Sequence, residues 1–261
     1  MLEKEAVSQR IYDSFKFFKM IKSNLSEQEN SKNKRFVTIS DREDRCDIPS
    51  SAWRPLTDKY DLQTWQGIQM EKSPFEIAIY PMLIYELQPK TIIELGAATG
   101  GSAMWLADQL ELFGIKGSIY SMDIDLSLID EKAQANPKIK FWEGDCNKID
   151  LAWPTTLLST LAHPWLIIED VHINLVGVLN YFHHHGLQSG DYLIVEDTNK
   201  TMWDQWSDWH DQKFIERMKR KISLLRNWLI QHQYDYLIDT YYQDMFGYNG
   251  SKNWNSILKK I

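Results

Sequence analysis

TIIELGAATGGSAMWLADQLELF, residues 91–113, decides the fold. Its first six residues are a short apolar run with β-branched side chains that stops at Gly96, which reads as a buried strand. Ala103 to Phe113 reads as a helix. The turn between them carries Gly96, Gly100 and Gly101, and glycine lets a backbone approach a ligand closely. The helix that follows offers unpaired N–H groups at its start.

Working outward, the same alternation repeats. SIYSMDID (118–125) reads as a strand and LSLIDEKAQ (126–134) as a helix. KIKFWEGD (138–145) and PWLIIEDVH (164–172) read as strands, INLVGVLNYFHHHG (173–186) as a helix, and DYLIVEDT (191–198) as a strand. A long helical region follows from about Asp204 to Gln231, then YDYLID (234–239) and NSILKK (255–260) as last strands. Upstream, Phe75 to Leu87 reads as a helix ending before Pro89. Strands alternating with helices predict an α/β fold with helices on both faces of a seven-stranded, mostly parallel sheet. LIIED and YLIVED are apolar until their last residues, as buried parallel strands are. Polar residues collect at the carboxyl ends, where an open α/β sheet places its ligand.

Residues 1–22 carry Ile11, Phe15, Phe18 and Ile21 at helical spacing, and 23–34 are polar. Residues 36–66 look irregular. The expected division is a cap or oligomerisation segment at 1–64 and a nucleotide-binding domain at 65–261.

The chain has 261 residues with 25% charged, 43% hydrophobic and 13% aromatic side chains, the composition of a folded domain. Net charge is −7. The densest basic stretch, Lys213 to Lys221, is interleaved with acidic and apolar residues, which argues against a nucleic-acid groove. Cys46 and Cys146 give no disulfide framework. MLEKEAVSQR lacks an apolar signal core, and no apolar run reaches membrane-spanning length. A cytoplasmic protein is expected.

Two groups of acids stand at strand ends. Asp123 ends the second strand, with Asp125 as its competitor for a ligand's hydroxyls; Asp145 and Cys146 follow the third strand. Further on are Glu169-Asp170-Val171-His172 and Glu196-Asp197-Thr198-Asn199. Adjacent parallel strands bring these together, and three carboxylates at one edge repel unless neutralised. A hard divalent cation does that; Mg²⁺ is the natural candidate, with Mn²⁺, Fe²⁺ or Ca²⁺ open. Solvated or salt-bridged loop acids are the alternative.

Glu94-Leu-Gly96-Ala-Ala-Thr-Gly100-Gly101-Ser102 resembles motif one of class I S-adenosylmethionine (SAM) methyltransferases more than the dinucleotide fingerprint, because Ala98 stands where a second glycine is wanted. Together with Trp65-Gln-Gly67, YSMDID, the EGD turn at 143–145, EDVH at 169–172 and SGDYLIVEDTN at 189–199, it makes the chain similar to the cephalosporin hydroxylase/rhamnosyl O-methyltransferase family. More distantly it resembles macrocin, mycinamicin and catechol O-methyltransferases. The likeness covers about residues 65–200, and the tail FGYNGSKNWNSILK looks like the family's closing strand. It implies a Rossmann-like class I methyltransferase fold with an N-terminal helical cap. It also implies a metal held by Asp170, Glu196 and Asp197, and SAM bound at Glu94, Gly96, Ser102, Asp123 and Asp145, with Ala97 and Gly101 in the same turn and Cys146 beside Asp145. Family members often have one acid before the strand-four histidine, so Glu169 competes with Asp170 as ligand.

The expected activity is methyl transfer to a hydroxyl, or a carboxylate, of a small sugar-like or natural-product acceptor, in a homo-oligomer. His172 is the candidate base, since its pKa suits neutral pH; a structural role is the alternative. His183, His184 and His185 point about 100° apart on a helix and are expected to face solvent. Trp203, Trp206 and Trp209 pack their helix or wall the acceptor pocket, and Asn199 and Lys200 are candidate substrate contacts. An oxygenase and a non-catalytic SAM-binding partner are the competing readings; the first lacks a two-histidine, one-carboxylate triad.

Overall fold

The computed structural model describes residues 34–206 and 211–261. Residues 36–261 form one compact unit. Its strands are β1 (Phe36–Val37), β2 (Thr64–Trp65), β3 (Ile68–Gln69), β4 (Thr91–Leu95), β5 (Ser118–Asp123), β6 (Ile139–Glu143), β7 (Trp165–Glu169), β8 (Tyr192–Val195), β9 (Tyr236–Asp239) and β10 (Ile257–Lys260). The helices are α1 (Ser50–Thr57), α2 (Pro74–Leu87), α3 (Gly101–Leu112), α4 (Glu131–Gln134), α5 (Ile149–Ala152), α6 (Thr155–Leu158), α7 (Leu175–His185), α8 (Lys200–Trp206), α9 (Gln212–Gln231) and α10 (Thr240–Gln243).

The main sheet runs β1-β9-β10-β8-β7-β4-β5-β6. Pairs β6–β5, β5–β4, β4–β7 and β7–β8 are parallel, and β10 is antiparallel to both β8 and β9. All seven strands expected from the sequence are present. The two-residue β1, in a region that read as irregular, adds an eighth at the β9 edge. That region also holds α1 and β2, the first strand of the β2–β3 hairpin, and its Trp53 is fully buried. Contacts therefore continue across the expected 64/65 division.

Alternate side chains feed two apolar layers, as the pleat requires. Ile92, Ile119, Leu166, Ile168 and Ile194 pack under α2 and α3 with Trp105 and Leu106. Ile93, Leu95, Met122, Ile167, Leu193 and Val195 pack on the other face with Val178, Leu179, Phe182, Leu225 and Trp228. Each such fully buried aliphatic side chain contributes about 1.5–3 kcal/mol. α2 begins with a capping box, Ser73 and Glu76, with Pro74 at its first position.

Two helices are shorter than their sequence suggested. Of 126–134 only Glu131–Gln134 is helical, because Asp125 and Asp130 turn their carboxylates back onto the N–H groups of Ser127 and Lys132. The region from Asp204 to Gln231 is two helices, α8 and α9; the Asp211 side chain accepts from Phe214 N–H and starts the second. The predicted helix at 1–22 and Trp209 lie outside the described residues.

Candidate active site

The register places the site. Leu95 pairs with Glu169 and Glu169 with Val195. One residue further along these three adjacent strands stand Gly96, Asp170 and Glu196. The ladder continues into them: Asp170 N–H donates to Leu95 O at 2.9 Å and Glu196 N–H to Glu169 O at 2.9 Å.

The glycine turn fits only glycine at its two closest approaches. Gly96 has φ +103°, and a Cβ there would stand 2.8 Å from the Asp170 carbonyl oxygen. A Cβ on Gly101 would overlap the Gln69 carbonyl, so α3 starts directly beneath the β2–β3 hairpin. Glu94 lies under the turn, buried, with Ser102 Oγ and Ser121 Oγ each donating to it at 2.5 Å. Burial pushes its pKa up and the two hydroxyls partly offset that. It braces the turn and does not line the cavity. Asp123 does line it: its carboxylate accepts from Ala98 N–H at 2.9 Å and Ile124 N–H at 2.7 Å. Asp125, its competitor, turns to its own loop.

A cavity of about 440 Å³ joins this turn to the acids. Gly96, Ser102 and Asp123 line one part; Asp170, His172, Asp197, Lys72 and Lys252 line the other, with Trp203, Trp206 and Phe214 as an aromatic wall. Ala97, Gly101, Asp145 and Cys146 do not line it. Asp145 caps a 3₁₀ turn by accepting from Asn147 N–H, and burial, with Glu169 nearby, pushes the Cys146 thiol up to about 12.

Each of Glu169, Asp170, Glu196 and Asp197 has a buried lysine partner. Lys72 Nζ bridges Glu196 Oε2 at 2.7 Å and Asp170 Oδ2 at 3.1 Å. Lys252 Nζ meets Asp197 Oδ1 at 2.8 Å, and Lys221 Nζ meets Glu169 Oε2 at 2.9 Å. Burial disfavours the Lys72 ammonium, but Glu196 and Asp170 hold its pKa above the ordinary lysine range. Burial likewise works against the Asp170 carboxylate, but the surrounding positive charges, Lys72 first, together outweigh it, so its pKa lies below the usual range. The sequence reading missed all three lysines, and Tyr80, whose hydroxyl donates to Glu196 Oε1 at 2.8 Å. Glu196 is thus fully buried with both oxygens engaged, whereas Asp170 and Asp197 reach the cavity. Glu169 is sealed behind them on Lys221.

The oxygens the lysines leave converge on His172. Its Nε2 lies 3.6 Å from Asp170 Oδ1 and 3.5 Å from Asp197 Oδ2. Asp170, His172 and Asp197 form a group whose ligand atoms lie within 4.8 Å of one another. Burial, then the Lys221 ammonium, lowers the His172 pKa. Both His172 (φ +56°) and Asp197 (φ +59°) are left-handed, a conformation costing about 1–3 kcal/mol each that collects at functional sites. These residues fit a hard divalent cation: two carboxylates converge, and the Nζ atoms of Lys72 and Lys252 already stand as positive charge on ligand oxygens.

Two candidate substrate contacts fall elsewhere. Asn199 is fully buried and caps α8, its Oδ1 accepting from Thr201 and Met202 N–H. Lys200 pairs with Asp44 at the surface. Trp203 is buried, donates to Asp197 O at 2.6 Å and also lines the cavity. Of the three consecutive histidines, His184 and His185 are exposed as expected, but His183 is half-buried.

A parallel-sheet domain with a glycine turn and an acidic edge on one cavity is the architecture of class I methyltransferases. The chain belongs to the Rhamnosyl O-methyltransferase/CmcI family, which it matches over residues 58–261. It is 29% identical over 140 residues to a rhamnosyl O-methyltransferase of Mycobacterium tuberculosis, covering 52% of this chain and 57% of that protein. The chain thus aligns with just over half the length of such curated relatives. An apo structure of CmcI superposes with TM-score 0.61 at 27% identity, covering 86% of this chain and 88% of that one. A CmcI structure with Mg and SAM gives TM-score 0.59 at 25% identity, covering 91% and 95%.

Proposed function

We propose that this protein is a SAM-dependent, divalent-cation-dependent O-methyltransferase that methylates a hydroxyl of a small sugar-like or natural-product acceptor. The observation that carries the reading is the single cavity that the glycine turn, Asp123 and the Asp170/Asp197 pair all line. SAM would lie along the turn, with its ribose hydroxyls donating to Asp123, whose carboxylate is already oriented by two backbone N–H groups. Asp170 and Asp197, with Glu196 behind Lys72, would hold the cation, which supplies Lewis acidity toward the acceptor hydroxyl. The protein's own contribution is positioning. Holding donor and acceptor at near-attack distance supplies up to about 7–11 kcal/mol. The Trp203, Trp206 and Phe214 wall gives a ring-shaped acceptor a flat apolar face.

His172 has a narrower part than that of a free base. The Lys221 ammonium donates to Glu196 O at 2.9 Å and to His172 Nδ1 at 3.0 Å, and pairs with the Glu169 carboxylate. With Nδ1 accepting, the neutral imidazole carries its proton on Nε2, directed at Asp170 and Asp197. In that arrangement His172 orients the two carboxylates.

The negative net charge supports a small-molecule acceptor over nucleic acid. No helix among the described residues is long and apolar enough to cross a membrane; a cytoplasmic site of action is part of the proposal. Assembly through the N-terminal segment 1–64 is part of the same proposal.

The test is calorimetric binding of SAM with Mg²⁺ and after chelation, on wild type and Asp197→Ala. Binding of SAM by both proteins, with a Mg²⁺ event lost in the variant, supports the two-part site. No SAM binding under any condition rejects it.

A further inference from the structure

A second group of potential metal ligands lies at the opposite end of the sheet. α7 runs from the carboxyl end of β7 back to the amino end of β8, and His183 sits in its last turn. His232 caps the carboxyl end of α9, and Asp235 stands in the turn just before β9. One ligand atom from each of His183, His232 and Asp235 lies within 4.8 Å of the others. The consecutive-histidine objection does not apply, because only one of the three histidines takes part and its partners come from other elements.

Several features make this more than a surface coincidence. All three side chains are half-buried. The His183 and His232 ring centroids are 4.6 Å apart, and His232 lies against Trp228 at 4.3 Å, so the imidazoles are walled by an apolar face. Asp235 divides its oxygens: Oδ1 meets Lys260 Nζ at 3.2 Å, while Oδ2 lies 3.4 Å from His232 Nδ1. Tyr236 OH lies 3.2 Å from His183 Nδ1, the outer hydrogen-bond partner that ligating histidines use to fix ring orientation.

We infer that His183, His232 and Asp235 form a second cation site, distinct from the acidic cluster, selective for a borderline transition ion such as Zn²⁺, Co²⁺ or Ni²⁺. Two imidazoles with one carboxylate suit those ions, whereas Mg²⁺ prefers oxygen donors. Three protein ligands leave one tetrahedral position for water. Bound metal would pin the ends of α7 and α9 to the start of β9, a structural clamp remote from the cavity. This inference does not rest on the methyltransferase reading.

The experiment is Co²⁺ and Zn²⁺ titration of tag-free protein in excess Mg²⁺, followed by visible cobalt absorption and thermal unfolding. Wild type and Asp197→Ala should each bind one Co²⁺ with a low-coordinate ligand-field spectrum, and Zn²⁺ should raise Tm. His232→Ala and His183→Gln should each weaken binding by at least about 100-fold, more than loss of an outer-shell partner costs. His184→Ala should bind as wild type does. Unchanged Co²⁺ affinity in both His232→Ala and His183→Gln overturns the assignment, as does a cobalt spectrum that Asp197→Ala abolishes.

Discussion

Lys221 Nζ stands 3.0 Å from His172 Nδ1 while holding Glu169, so one buried ammonium ties the histidine of the site to the acid sealed behind it. The expected tautomer carries the proton on Nε2. In ¹⁵N NMR of the resting protein the His172 Nδ1 resonance should be that of an unprotonated, hydrogen-bonded nitrogen. A protonated Nδ1 would remove the tautomer argument.

The same lysine sets a stability expectation. Lys221→Met leaves Glu169 buried without its counter-charge, and breaking a buried pair in this way costs about 3–5 kcal/mol. Denaturant unfolding should show that loss. The double variant Lys221→Met/Glu169→Gln should recover much of it, since a neutral amide no longer buries a charge.

Glycine at 101 is required by the hairpin. Its Cβ would overlap the Gln69 carbonyl, so Gly101→Ala must push β2–β3 off the start of α3. Overpacking of this kind costs about 1–3 kcal/mol. SAM affinity should fall in calorimetry while far-UV circular dichroism stays that of wild type. Unaltered SAM affinity would mean that the turn does not form the cofactor cradle.

Why the glycine turn and strand ends were legible, and the lysines were not, has a physical basis. Buried parallel strands write themselves as apolar runs, so LIIED and YLIVED announce both their burial and where they stop. The three lysines leave no such mark. Lys72 reaches Glu196 across 124 positions from the loop before α2, and Lys221 reaches the Glu196 carbonyl across 25 from α9. A single lysine on an amphipathic helix looks like any solvated one. Reading three acids as needing a cation was therefore incomplete: lysines already neutralise them in part. His183 was misplaced for a related reason, since helical geometry says where it points but not what comes to meet it.

Cys146 gives a pH-dependent expectation. Its thiol ionises near pH 12, against an ordinary value of 9. At pH 8 the native thiolate fraction is lower than that of a free thiol by about a thousandfold, and alkylation follows the thiolate. Iodoacetamide should modify Cys146 about three orders of magnitude more slowly in native than in unfolded protein. The raised pKa also signs the stability curve. Between pH 9 and 12 the unfolded chain has released a proton that the native thiol keeps, so stability falls as pH rises through that window. Cys146→Ala should lack this component. Rapid native labelling at pH 8 would contradict the buried thiol.

On the proposed reading, Lys72 and the cation compete for the Asp170 and Glu196 carboxylates. Lys72→Met removes the ammonium bridging Asp170 and Glu196, leaving Glu196 buried with only Tyr80 as donor, at a cost of about 3–5 kcal/mol without metal. A divalent cation placed between the same carboxylates restores the missing charge. Mg²⁺ at about 100 times its Kd stabilises by about 2.7 kcal/mol through mass action alone. Because the variant no longer has to displace an ammonium, its Mg²⁺ affinity should exceed that of wild type, and its Tm should rise more per increment of Mg²⁺. Thermal unfolding across a Mg²⁺ series, with chelator as the zero point, measures both. An equal Mg²⁺ response in wild type and Lys72→Met would place the cation away from Asp170 and Glu196.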